Sequence, residues 1–170
     1  MSIGQSMLSE FDYEMANSRK TLERVPVNKL EWKPDPKSMA LGQLAGHIVE
    51  MAGWGSAVLT TPSMDMNPGD HKPYIPTSQQ ELLSEFDKNV ATLRSTLAST
   101  SDQDMMHEWA LRIGGQPLFS MPRVAVMRSM IMNHIIHHRA QLTVYYRLNG
   151  VPVPALYGPS ADEGQMGASA

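Results

Sequence analysis

From Met121 to Leu148 the chain carries no glycine and no proline after Pro122, and its apolar residues recur every three or four positions. Such a run satisfies its own backbone hydrogen bonds as one long α-helix. Gly150 and Pro152 close it off, and Pro122 falls in the first turn, where a missing N–H does no harm. The main stripe of this helix is Val124, Met127, Ile131, His134, His138, Gln141, Tyr145 and Leu148. A neighbouring face carries Val126, Met130, Ala140 and Val144. A helix this long and this apolar needs other long helices, or a second copy of itself, to cover it.

The rest of the chain supplies partners. Leu8, Phe11, Met15 and Leu22 fall at helical spacing between Ile3 and Arg24, and Pro26 ends that pattern. Lys33-Pro34-Asp35-Pro36 reads as a loop. A second helix is predicted from a Ser38 cap to about Thr60, with Ala40, Leu44, His47, Met51, Trp54 and Val58 on its inward stripe. Residues 61–77 hold Pro62, Pro68, Gly69, Pro73 and Pro76 and read as a long crossover loop. Ser78 followed by Glu81 is a capping box that opens a third helix to about Ser99, with Leu82, Phe86, Val90, Leu93 and Leu97 on one face. One short helical turn is expected within 101–107. Glu108–Ile113 and Gln116–Ser120 flank Gly114-Gly115 as a small hairpin-like excursion before the last helix. The expected fold is all-α: a four-helix bundle with one long crossover, a single domain over residues 1–163 and a short flexible tail at 164–170.

Composition narrows the function classes. Fourteen Lys and Arg against seventeen Asp and Glu give a net charge of -3, without the basic footprint that nucleic-acid binding needs. No apolar run is long enough to span a membrane. Glu10, Asp12 and Glu14 stand where a signal peptide would need its apolar segment, so a cytoplasmic location is expected. The absence of cysteine excludes a thiolate nucleophile, a disulfide framework and a thiolate metal site. The fourteen methionines read as irregular core filling.

The register of the histidines carries the chemistry. His134 and His138 lie roughly 40° apart and one turn along the same helix face, close enough to share a metal ion. His137 drifts to the other side. His47 sits in the middle of the second helix's inward stripe, so three imidazoles point into one interior. A buried polar group without a partner costs roughly 1–3 kcal/mol; a shared cation and ordinary bonds to carbonyls both answer that need, and spacing alone leaves both open. His71 and His107 fall in loop contexts and are expected to be solvated. Glu50 is set off the ligand direction. Trp54 and Tyr145, each one heptad past a histidine, stand to wall the pocket or, more ordinarily, to fill core. Arg139 and Gln141 are placed to support the ligands or pack between helices, although an arginine on a long helix is ordinarily a surface or interface residue.

The run Asn133-His134-Ile135-Ile136-His137-His138-Arg139-Ala140-Gln141-Leu142, followed by Tyr146-Arg147-Leu148 and Gly150, resembles the signature of the DinB-like family. Leu41-Gly42-Gln43-Leu44-Ala45-Gly46-His47 is similar to that family's second-helix motif, and Val153-Pro154-Ala155-Leu156-Tyr157-Gly158-Pro159-Ser160-Ala161 to its chain ends. Ala140 stands where the family usually has glycine. The resemblance implies a metal held by His47, His134 and His138. Three imidazoles with open coordination positions make a catalytic rather than a structural site, suited to zinc, nickel or iron rather than calcium or magnesium.

Two function classes follow from the resemblance. In the first, the protein is a metal-dependent enzyme of stress or detoxification chemistry, a thiol S-transferase that activates a low-molecular-weight thiol such as bacillithiol or mycothiol; a metal-dependent hydrolase is the variant. In the second, it is a non-catalytic module that binds a metal or a small ligand. Family members commonly form homodimers, and Val126, Met130 and Val144 are the expected contacts.

Overall fold

The computed structural model describes residues 1–67, 69 and 71–164. Helix α1 (Ile3–Leu22) opens on a reciprocal cap: the Ser2 hydroxyl accepts from the Gln5 N–H and the Gln5 side chain accepts from the Ser2 N–H, each at 3.2 Å. Helix α2 (Leu41–Thr60) starts two residues later than the Ser38 cap predicts. Its cap is Ala40, which has no side-chain acceptor to offer, and the Gln43 side chain accepts from the Ala40 N–H at 3.0 Å. Helix α3 (Gln79–Ser99) is capped by Ser78 as expected. The Glu81 carboxylate reaches Thr77 rather than the Ser78 backbone, so the box is only half made.

The short helix α4 (Asp102–Met106) leads into strands β2 (Glu108–Ile113) and β3 (Gln116–Pro122), which pair antiparallel from Glu108 opposite Pro122 to Ile113 opposite Gln116. Gly114 and Gly115 both take positive φ, 57° and 80°, as a tight hairpin turn requires. A third strand, β1 (Ser63–Asp65), pairs parallel with β2, Ser63 lying opposite Ala110. The sheet order is β1-β2-β3. The expectation of an all-α four-helix bundle is therefore corrected: the chain is mixed, with a three-stranded mixed sheet packed against the helices through Trp109 and Leu111. The reason is physical. A three-residue strand shows no alternation, and its parallel partner lies far along the chain, so local patterning cannot reveal it.

The final helix is continuous but not uniform. It comprises α5 (Arg123–Val126), a π-helical segment (Met127–Met132) and α6 (Asn133–Leu148). The Asn133 N–H reaches back five residues to the Arg128 carbonyl, the mark of the wider π turn. The long helices pack as a ring, α1 against α3, α3 against α2, α2 against α6 and α6 against α1. On α6 the buried stripe is Ile135, Arg139, Leu142 and Tyr146, one residue displaced from the predicted one, and Gln141 and Leu148 are exposed. Val126, expected on an outward face, is buried, as are Met127 and Met132. The histidine face thus flanks the core stripe instead of forming it.

The loop expected over 61–77 contains β1, and its later part crosses α2 closely. The Tyr74 carbonyl lies only 1.8 Å from where a β-carbon at position 46 would sit, so Gly46 is what admits the crossing. No helix among the described residues is long and apolar enough to cross a membrane. The predicted tail at 164–170 lies, from residue 165 on, outside the described residues.

Candidate metal centre

His47 enters from the middle of α2, and His134 and His138 from successive turns of α6. Their ring centroids stand 5.2 Å (His47–His134), 4.8 Å (His47–His138) and 4.6 Å (His134–His138) apart. One nitrogen from each ring lies within 4.8 Å of the other two, a spacing that one cation spans. The structure therefore brings together the three residues that the helical register singles out. His137 is exposed, its ring 4.9 Å from that of His138, and it does not join the cluster. His107 is exposed beside Asp104.

Two of the rings are oriented by a hydrogen bond at Nδ1, and the third has a carboxylate near its own. His134 Nδ1 donates to the Met130 carbonyl at 3.2 Å, and His138 Nδ1 lies 2.7 Å from Gln141 Oε1. His47 Nδ1 faces Glu50 Oε2 at 3.7 Å. An oxygen acceptor at Nδ1 places the hydrogen there and leaves the Nε2 lone pair for a cation, the arrangement that holds ligand histidines in one tautomer. Gln141 thus serves as an orienting partner from an exposed position.

The electrostatics agree with this donor set. Burial, then the neighbouring His138, His134 and His71, push the His47 pKa down to about 4. Burial also lowers His134, partly offset by its bond to the Met130 carbonyl. His138 is lowered by burial, partly offset by Gln141. All three are neutral imidazoles at neutral pH, which is the form that binds metal. Three convergent, neutral nitrogen donors with no carboxylate in the cluster fit a borderline transition ion such as zinc, nickel or iron.

Space adjoins the cluster on two sides. A cavity of about 290 Å³ runs from His47 past Trp54, Met39 and Met66, and a second of about 200 Å³ is lined by His138, Gln141, Tyr145 and again Met39. Of the two readings of Trp54 and Tyr145, core or pocket wall, the structure has the second: both are only partly buried and form walls of these cavities. The Trp54 indole stands edge-on to His47 with centroids 6.2 Å apart. Tyr145 packs against Trp32 and donates its hydroxyl to the Met39 carbonyl at 3.2 Å.

Two residues beside the cluster make contacts that the sequence reading of them does not include. Glu50 is not in the histidine cluster, yet its carboxylate bridges toward His47 and toward His71 Nε2, the latter at 3.5 Å. The i, i+3 spacing from His47 is the signal that points to it. His71 is exposed, as expected, and its ring also stands 5.7 Å from that of Trp54 and lines the larger of these two cavities. Its Pro/Gly-rich surroundings carry no periodicity from which that could be read.

Arg139 departs from its ordinary reading as a surface or interface residue: it is 1% exposed, packs between helices and pairs with Glu14 of α1 at 2.6 Å. It also donates to the Glu14 carbonyl and the Ser18 hydroxyl, and the Tyr157 hydroxyl closes the group from the chain's end.

The sequence profile of the DinB superfamily matches residues 10–142, a span that includes all three histidines. The uncharacterized protein YrdA of Bacillus subtilis (strain 168) is 26% identical over 159 residues, covering 92% of this chain and 89% of that protein. The crystal structure of a DinB-like protein from Bacillus cereus ATCC 10987 superposes with a TM-score of 0.68 at 25% identity, over 92% of this chain and 98% of the other. A second DinB-like protein, YjoA of Bacillus subtilis, shares the fold with a TM-score of 0.66 at 18% identity, over 88% of this chain and 96% of that one. With the matched span covering most of the sequence, the chain belongs to the DinB superfamily.

Proposed function

We propose that the protein is a metal-dependent enzyme that activates a small thiol for transfer to an electrophile. The observation that carries this reading is the convergence of three neutral imidazoles, with no fourth protein ligand in the cluster among the described residues, beside a cavity of about 290 Å³. A cation bound there acts as a Lewis acid that lowers the pKa of a thiol or water meeting it. His47, His134 and His138 hold the cation. Met130, Gln141 and Glu50 orient the rings. Met39, Trp54 and Met66 give the cavity apolar and polarisable walls, which suit the carbon skeleton of an electrophile and exclude water from it. The chain has no cysteine, so the sulfur nucleophile comes from the small molecule.

A role in stress or detoxification chemistry and the pairing of two copies belong to the same reading. The exposed Val144 and Leu148 on the outer face of α6 support the pairing. The test of function is direct. Protein purified without nickel resin is assayed for bound metal, then loaded with zinc or nickel and given an alkylating electrophile with bacillithiol, mycothiol or glutathione. Stoichiometric metal and metal-dependent loss of one thiol are expected. Metal bound without thiol consumption would leave a binding module, and no bound metal would overturn the reading.

A further inference from the structure

The stretch of chain that crosses α2 is fixed at two points. Gly46 lets the Tyr74 carbonyl pass close, and the Tyr74 N–H donates to Glu50 Oε1 at 3.0 Å. The same Glu50 oxygen lies 3.5 Å from His71 Nε2, and the Trp54 indole supports the imidazole edge-on. Glu50 and His71 both line the cavity that holds His47. The titratable groups on that wall are these three. His47 is committed to the cluster, and Glu50 is held between the Tyr74 N–H at Oε1 and the His47 ring, which lies 3.7 Å from Oε2. Asp65 of β1, across the adjoining cavity, is tied to the Gly115 N–H at 2.7 Å. Among these described groups, that leaves His71 for proton transfer. A carboxylate at one ring nitrogen fixes the tautomer and keeps the lone pair on the other, which is how a carboxylate makes an imidazole a working base.

We propose that His71, positioned by Glu50, takes the proton from the thiol that enters the cavity. The inference rests on the thiol reading above. In the step the S–H bond breaks, its electron pair stays on sulfur, and the proton passes to His71 Nδ1. The resulting imidazolium keeps the proton beside the Glu50 carboxylate while the thiolate stays bound.

Counting protons tests this without relying on turnover. Zinc-loaded wild type, His71→Asn and His71→Gln are titrated with 2-mercaptoethanol by calorimetry at pH 7.5, in two buffers of different ionisation heat. The wild type is expected to retain the thiol proton, with net release near zero. Both variants are expected to release about one proton per thiol bound while keeping full zinc stoichiometry. Equal release from all three proteins would overturn the role of His71. Loss of zinc in either variant would overturn it too, by making His71 a ligand. Failure of the thiol to bind any of the proteins would instead remove the thiol reading itself, and this proposal with it.

Discussion

His138 and Arg139 are neighbours on one helix and meet opposite treatment. Arg139 faces α1 and is itself 1% exposed: Glu14, Ser18 and Tyr157 pair with its guanidinium. His138 faces a cavity, and only one of its ring nitrogens has a protein partner. A fully paired buried network holds a fold in one arrangement, whereas convergent groups with lone pairs left over beside open space are held for something that arrives. The comparison assigns stability to the α1–α6 seam and chemistry to the α2–α6 seam.

The sharpest way to break it is to remove Arg139. Arg139→Ala leaves the Glu14 carboxylate, 5% exposed, without its counter-charge. A loss of about 3–5 kcal/mol in urea unfolding is expected, since stripping one partner from a buried pair costs that much. His138→Ala should change stability by less than about 1 kcal/mol in the metal-free protein. Similar losses in the two variants would erase the distinction between the seams.

Metal affinity sharpens the other side. Alanine at His47, His134 or His138 should weaken zinc binding by more than the roughly 10–100-fold expected for loss of an orienting partner. Gln141→Ala should fall within that range, and His137→Ala and His107→Ala should leave binding unchanged. Competition against a chromophoric chelator reads all six. Full occupancy in His138→Ala would remove the cluster from consideration.

Acid separates the seams further. The His47 pKa of about 4 lies below that of an unfolded histidine, near 6.5, so the unfolded chain binds more protons across that interval. Stability of the metal-free protein should therefore fall as pH drops from about 6.5 toward 4, and His47→Ala should flatten that slope. Zinc should also be retained to lower pH than an unperturbed histidine cluster allows. A urea midpoint unchanged between pH 6.5 and 4.5, with the same null result in His47→Ala, would count against the lowered value.

These contrasts were unequally legible in the sequence. The three histidines were legible because a helix repeats every 3.6 residues, so spacing alone puts His134 and His138 one turn apart on one face, even though the core stripe runs beside that face. Arg139 was not, because its burial depends on Glu14 and Tyr157, which arrive from the two ends of the chain. The hairpin of β2 and β3 was legible from its Gly114-Gly115 turn, but β1 was not, for the same reason as Arg139: Ser63 meets Ala110 only after the chain has traversed α3. The stripe on α6 slipped by one residue because nothing in Met127–Met132 announces a π turn, and even spacing assumes there is none. Local periodicity reports one helix face at a time. Contacts between distant segments are where it fails.

The smallest expected effect concerns the third face of α6, which belongs to neither seam. Val144 and Leu148 are 57% and 60% exposed, so Val144→Lys should leave both metal affinity and monomer stability within about 0.5 kcal/mol of wild type. If this face pairs two copies, the same substitution places a charge at a self-contacting patch, where each copy must bury its own lysine against the other's surface. The mass by light scattering should then fall from twice 18.8 kDa toward 18.8 kDa, with the zinc still bound. Val126→Lys is the informative contrast, because Val126 is buried. A lysine there must unfold the chain rather than split a pair. A wild-type mass of 18.8 kDa at micromolar concentration would instead leave the outer face of α6 as ordinary solvent-exposed apolar surface.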